Sequence, residues 1–462
     1  MTNQEKIQHL YWRAGFGLSP NDQDKHNWSV TKAVNNLFKE AQKLQPLAMP
    51  KFDSPSRAEI KSMSKQERKD LRKEVQQMTN DVNADWVRQM ASTTSSPLQE
   101  KMTLFWHGHF ACESKSFHLA VNQINTIRKH SLGSFKDLVL AISKDASMIF
   151  YLNNQQNKKS HPNENYAREL MELFTIGRGN YTEKDIKEAA RAFTGWFANR
   201  QLGTFNFRDK AHDYGKKTFM GKTGNFDGTD IVDIILEQKE TAEYIATKVY
   251  RYFVNPKPNT THITAIAKVF RDSDYDIAKM MRYVFESDWF YSQKNRGSKI
   301  KSPIEFLVGI SKTLGLSFGN TQSLLFPQRT LGQTIFRPPN VAGWPGGKAW
   351  IDNATLMLRL NFAGIIFQRS ELLINAKEMP EMAKRGKLKK LAIDANLQPL
   401  LQTVKKIKEA DLSNTLCQQL LQVDFESKDS FIEQFAKTAN TRQKKIQAFL
   451  LGIMSLPEYQ VC

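Results

Sequence analysis

Four short stretches of this 462-residue chain carry residue types that do chemistry. The first is Phe105-Trp106-His107-Gly108-His109-Phe110. Two imidazoles this close suit a transition metal, and Zn, Mn and Fe are all compatible with such donors. On a helix, residues two apart point about 200° apart, so His107 and His109 converge only in extended geometry or at a helix end. Gly108 offers such an end. The alternative is that one ring packs among the aromatics while the other faces water. Cys112, three residues beyond His109, has no orienting third group nearby and reads as a small buried thiol rather than a nucleophile.

The second stretch, 161–174 (HPNENYARELMELF), is the richest. Pro162 and Asn163 suit a helix opening. On that helix Glu164, Arg168 and Glu172 form one stripe, Asn165, Glu169 and Glu172 form its neighbour, and Leu170, Leu173 and Phe174 turn to the core. One reading is a surface row of ion pairs. The other projects Glu169 and Glu172 into a cleft, where with His107 and His109 they would ligate a metal, or act as acid and base. Glu164 would then move protons, Arg168 would grip an anionic substrate or one of the carboxylates, and Asn163 and Asn165 would contact substrate.

Third is His212-Asp213, followed by Lys216 and Lys217. Asp213 suits a turn, and His212 on that loop is a second candidate for proton transfer. Fourth is 337–347 (RPPNVAGWPGG) with Trp350 beyond it. Rigid Pro and permissive Gly around Trp344 and Trp350 fit either a loop that presents Asn340 and both indoles to a ligand, or a loop stapled to the body by them. The chain has no GxSxG, HExxH, Walker A or strand-framed GxGxxG signature, so those enzyme classes gain no support.

The elements that must position these stretches are mostly helical. Apolar residues recur at spacings of three and four through 31–44, 81–92, 134–150, 162–176, 183–197, 232–253, 263–285, 303–314 and 351–370, and again through 391–456. The exception is 202–228, rich in Gly, Phe and Thr, which reads as a β-hairpin excursion. Residues 336–347 are too dense in Pro and Gly for a helix, and 46–80 reads as an exposed, charged helical insertion. No fixed-period repeat and no dividing linker stands out. The expectation is a mainly α protein: one large multi-helix domain over 1–462, with a small β-hairpin excursion and long Pro/Gly-rich loops.

Hydrophobic residues at 40% and charged residues at 24% place the chain among globular proteins. Its 66 Lys and Arg against 47 Asp and Glu leave +19, which serves solubility or attracts an anionic partner. The densest basic runs, 65–73 and 384–390, lie far apart, and no helix-turn-helix, zinc-finger or RNA-binding signature accompanies them, so nucleic acid is not the expected partner. Three cysteines with no CxxC exclude a disulfide framework. The opening MTNQEKIQHLYWRAGFG has charges where an apolar signal core would lie, and no window reaches 18 apolar residues. As written, the chain carries no export signal or membrane span; its compartment reads as cytoplasmic, or as periplasmic or envelope if a leader has been removed.

Together these stretches resemble the bacterial family known as domain of unknown function 1800. The resemblance runs through HLYWRAGFGLSP (9–20), LFWHGHFA (104–111), LGSFKDLVLAISKDASMIFYLNN (132–154) and PNENYARELMELFTIGRGNYTEKDIKEAARAFTGW (162–196). It continues through HDYGKKTFMG (212–221), SPIEFLVG (302–309) and RPPNVAGWPGGKAWI (337–351), and so covers essentially the whole chain. The family has no established activity to carry over. Its members are often exported and often occur beside secreted sulfatase-like proteins, which implies envelope or polysaccharide work, with the four stretches lining one cleft. This chain departs in lacking a leader, and Cys112 is not a family feature. The expectation is a His/Glu-rich, metal-dependent hydrolase or oxidoreductase acting on a polar, anionic or carbohydrate-like substrate. The alternative is a non-catalytic envelope or polysaccharide-binding scaffold.

Overall fold

A computed structural model describes residues 1–199, 202–368, 391–423 and 428–462. The chain is mainly α, with three small two-stranded antiparallel sheets among the described residues. At its centre runs the helix Pro97–His109, in which every residue from Leu98 to His107 is buried. Such a helix needs an answer for each polar side chain. Arg128 donates to both oxygens of Glu100, at 3.0 and 2.8 Å, and Trp86 Nε1 donates to the same carboxylate at 2.8 Å. Lys101 pairs with Glu305, and Gln99 Nε2 reaches the Arg128 carbonyl at 2.7 Å. The helices Val30–Ala41, Lys65–Ala91 and Phe117–His130 pack around it. One cluster of buried apolar side chains takes in residues from Ile7 to Tyr459.

Several helices fall where the periodicity places them, and their caps say why. Pro303–Leu314 starts with Ser302 and Glu305 in a reciprocal capping box, carries Pro in its first turn, and ends at Gly315 with φ 56°. Other expected helices are two. The stretch 134–150 divides into Phe135–Ser143 and Ala146–Tyr151, because the Asp145 carboxylate accepts from Met148 N at 3.2 Å and starts a new helix. The stretch 232–253 divides at Gln238 into Gly228–Glu237 and Lys239–Phe253. The stretch 263–285 divides into Thr260–Asp272 and Ile277–Glu286, where Asp274 and Tyr275 turn left-handed with φ 55° and 59°.

The expected insertion at 46–80 has no boundary at 80. Lys65–Ala91 is one 27-residue helix whose first turns are solvated and whose later turns bury Val82, Trp86, Val87 and Met90. The β excursion starts earlier than expected: Trp196–Asn199 pairs with Thr204–Phe207, and Lys217–Phe219 with Lys222–Gly224. A third pair, Leu316–Phe318 with Ile393–Ala395, joins distant segments. The basic run 384–390 and the end of the 351–370 stretch lie outside the described residues. Among the described residues no helix is long and apolar enough to cross a membrane.

Candidate functional site

The stretch 161–174 is built by two kinds of turn. Asn163 Oδ1 accepts from Asn165 N at 3.1 Å, and Asn163 N donates to Asn157 Oδ1 at 2.9 Å, so Asn163 fixes the start of the helix Asn165–Glu169. Asn157 is itself buried and donates to the Ala190 carbonyl at 2.8 Å, which ties this start to the helix Glu183–Ala192. Asn165 is exposed. From Leu170 to Thr175 the backbone widens into a π turn, with Ile176 N bonding back five residues to the Met171 carbonyl at 3.2 Å. A π turn inside an α-helix recurs at functional sites and rotates the residues beyond it.

That rotation separates the expected stripe. Arg168 still meets Glu164 one turn back, Nη2 to Oε2 at 3.1 Å, but its fork closes on Glu183, with both bonds at 2.8 Å. Glu172 has turned away from it, to Arg178 Nε at 2.9 Å and the Tyr181 hydroxyl at 3.2 Å. Glu169 stands between these networks, half-buried, with no hydrogen bond or ion pair among the described residues. Burial raises the pKa of its carboxyl from the ordinary value, the neighbouring Glu172 adds to the rise, and Arg168 and Arg178 oppose it. The Tyr151 phenol is raised by burial and by Cys112, Glu113 and Glu169, which puts it on the same face.

The His-Gly-His segment stays helical through His109, so its two rings diverge. His107 is wholly buried against Trp86 and Phe336, its Nε2 accepts from Phe336 N at 3.3 Å, and burial pushes its pKa down to about 3. His109 lies on the other side and bonds through Nε2 to the Phe174 carbonyl at 2.9 Å. Burial, and Lys248 behind it, push His109 down to about 3 as well. The loop 336–347 folds over this helix end. Gly343, with φ 81°, passes so close to the Gly108 carbonyl that a Cβ there would lie 2.4 Å from its oxygen. Trp344 packs on His107 with ring centroids 5.5 Å apart, Asn340 uses its Oδ1 to close its own turn on Ala342 N at 2.9 Å, and Trp350 is buried.

His212 is buried in its own loop. Its Nδ1 donates to the Thr194 carbonyl at 2.8 Å, and the rings of Phe207 and Tyr214 flank it. The loop is held to the segment before Pro162 by Lys159 N on the Ala211 carbonyl at 2.8 Å. Arg191 grips Asp213 at 2.7 Å.

The structure therefore joins the first, second and fourth stretches through His109, Phe174, Gly108 and Gly343, while His212 contacts none of Glu164, Glu169 or Glu172. His107 faces Trp86 and Phe336, His109 meets Phe174, and Glu172 meets Arg178 and Tyr181. Among the described residues no three His, Cys, Asp or Glu side chains gather closely enough to hold an ion. Cys112 is buried and its thiol is pushed well up by burial and by Asp145, as an inert thiol would be. Sequence reasoning missed Tyr151, Arg178, Tyr181 and Glu183. All four lie in the blocks 132–154 and 162–196 that carry the family resemblance, and only the π turn reveals which carboxylate each one faces.

The fold and this face define a mainly helical protein with a phenol-flanked, half-buried carboxyl at the α-helix end that leads into a π turn. The chain belongs to the family described as protein of unknown function (DUF1800), whose model matches residues 9–461. No curated protein and no solved structure matches it.

Proposed function

We propose that this protein is an enzyme in which Glu169 transfers a proton to or from a polar, carbohydrate-like substrate, in envelope or polysaccharide metabolism. The observation that carries the reading is the isolation of Glu169. Each other charged candidate on the helix has a partner, whereas this carboxyl is half-buried and unpaired. Burial and the neighbouring Glu172 raise its pKa from the ordinary value, the direction in which a general acid is tuned. The hydroxyls of Tyr151 and Tyr181 and the carboxylates of Glu113 and Glu172 offer donors and acceptors for a hydroxyl-rich ligand. Arg168, already closed on Glu183 and Glu164, acts as a positioning residue and not as an anchor for an anion.

The paired state of Arg168 and Glu172 favours a second reading, the non-catalytic polysaccharide-binding scaffold. Reducing-end release from peptidoglycan, alginate and a neutral β-glucan, with and without added Zn, Mn or Fe, distinguishes the two. The enzyme reading expects release by the wild type that falls at least about a hundredfold in Glu169→Gln, the scale of one general acid. Glycan binding without release, unchanged in Glu169→Gln, supports the scaffold. Ion-dependent release would return a metal to the mechanism.

A further inference from the structure

A cavity of about 320 Å³, lined by none of the residues around Glu169, lies between the end of the helix Lys65–Ala91, the helix Pro303–Leu314 and the segment around Ser19 and Pro20. Its size falls in the range of ligand pockets, about 300–1,000 Å³. Ala91, Leu316 and Phe318 give the space an apolar side, with Val87 and Leu324 buried behind it, and Asn21, Thr93 and Asn396 line a polar side. Two lining hydroxyls are already engaged with their own helix, Ser311 with the Leu307 carbonyl at 2.6 Å and Thr313 with the Gly309 carbonyl at 3.0 Å.

Among the described residues the only charged groups lining this cavity are cations, Lys312 and Arg88, and no carboxylate faces them. Arg88 is paired at the surface with Asp85 at 2.7 Å. Lys312 is not paired. Its Nζ has one acceptor, the Gly17 carbonyl at 3.1 Å, although an ammonium carries three donors. The nearest acid, Asp22, is already held by Lys25 at 2.8 Å and by the Ser19 hydroxyl at 2.6 Å. An ammonium drawn out of bulk water with no counter-ion is an unfavourable arrangement until an anion joins it. Burial accordingly pushes the Lys312 pKa down to about 8.

We propose that this cavity binds a small amphipathic carboxylate, with the carboxylate on Lys312 Nζ and a short hydrocarbon chain against Ala91, Leu316 and Phe318. The charge selects an anion and the walls select a hydrocarbon. A fully hydrophilic anion would leave Leu316 and Phe318 in contact with water, and a neutral hydrocarbon would leave Lys312 without its counter-ion. No bond is made or broken, so the site is one of recognition.

Calorimetric titration of the full chain with octanoate and with octan-1-ol tests this. The expected result is one octanoate bound per chain, at least tenfold tighter than octan-1-ol. Lys312→Met abolishes that preference and Lys312→Arg keeps it. Ala91→Phe, which fills the cavity, weakens both ligands. Absence of octanoate binding by the wild type overturns the proposal, and so does equal affinity for the alcohol. Both of those results need no variant to fold. Octanoate binding unchanged in both Lys312→Met and Ala91→Phe overturns it as well.

Discussion

The Nε2–H of His109 donates to the carbonyl of Phe174 at 2.9 Å, and this bond joins the end of the central helix to the π turn that carries Glu172. Burial pushes the ring's pKa down to about 3, so at neutral pH this bond is made by a neutral imidazole with its proton on Nε2. A widened turn exposes carbonyls that an α-helix would satisfy. His109→Ala removes the donor from a buried carbonyl and is expected to cost about 1–3 kcal/mol in a urea titration. His109→Gln, which keeps a side-chain donor, is expected to recover part of it. An unchanged midpoint in His109→Ala would show that the turn needs no such support.

Gly343 meets Gly108 at the same place. A methyl group there would both clash with the Gly108 carbonyl and occupy a left-handed φ of 81°. Gly343→Ala is expected to destabilise by about 2 kcal/mol or more and to open the loop 336–347 to limited proteolysis. A variant as stable and as resistant as the wild type would place the loop elsewhere.

Two arginines with carboxylate partners should respond very differently. Arg128, wholly buried, is the partner of Glu100, and Arg128→Met leaves that carboxylate buried and uncompensated. The expected loss is about 3–5 kcal/mol. Arg168 keeps 36% of its side chain exposed, and Arg168→Met is expected to cost no more than about 1 kcal/mol. Chemical denaturation of both variants checks the contrast, and equal losses would contradict it.

Much of the architecture was legible because helices announce their ends locally. Ser302, Pro303 and Glu305 delimit a helix without reference to anything distant. The split of 263–285 was not legible, since Ile277 and Met280 continue the apolar rhythm of Ile263 and Ile266 across a break made by Asp274 and Tyr275. The pairing of Leu316–Phe318 with Ile393–Ala395 depends on segments far apart in the chain, and no local pattern encodes it. At the site, the carboxylates were visible as residue types, but their partners were not. A regular helix aligns Arg168 with Glu172, whereas the π turn hands Glu172 to Arg178 and Tyr181. His107 and His109 invited a joint role by spacing, yet the helix runs straight through Gly108 and sends one ring into the core and the other to Phe174.

Asp145 gives a pH signature separate from the site. Burial raises its pKa to about 7, against backbone and Gln123 hydrogen bonds that lower it. With the folded value above the unfolded one, the folded state binds the extra proton between about pH 4 and 7, so stability falls as pH rises through that window and levels off above it. Asp145→Asn keeps a capping side chain and is expected to flatten this slope and raise the melting temperature at pH 8. A steeper slope in the variant, or a lower melting temperature at pH 8, would contradict the buried-acid assignment.

Glu169 stands apart from the paired carboxylates beside it, with its pKa raised by burial and by Glu172. The direct measurement is a pH titration of the side-chain carboxyl resonances of ¹³C-Glu-labelled protein, with Glu169→Gln identifying the signal by its absence. The Glu169 resonance is expected to titrate above the exposed glutamates and to move down when Glu172→Gln removes the neighbouring charge. A Glu169 that titrates with or below the exposed glutamates would contradict it.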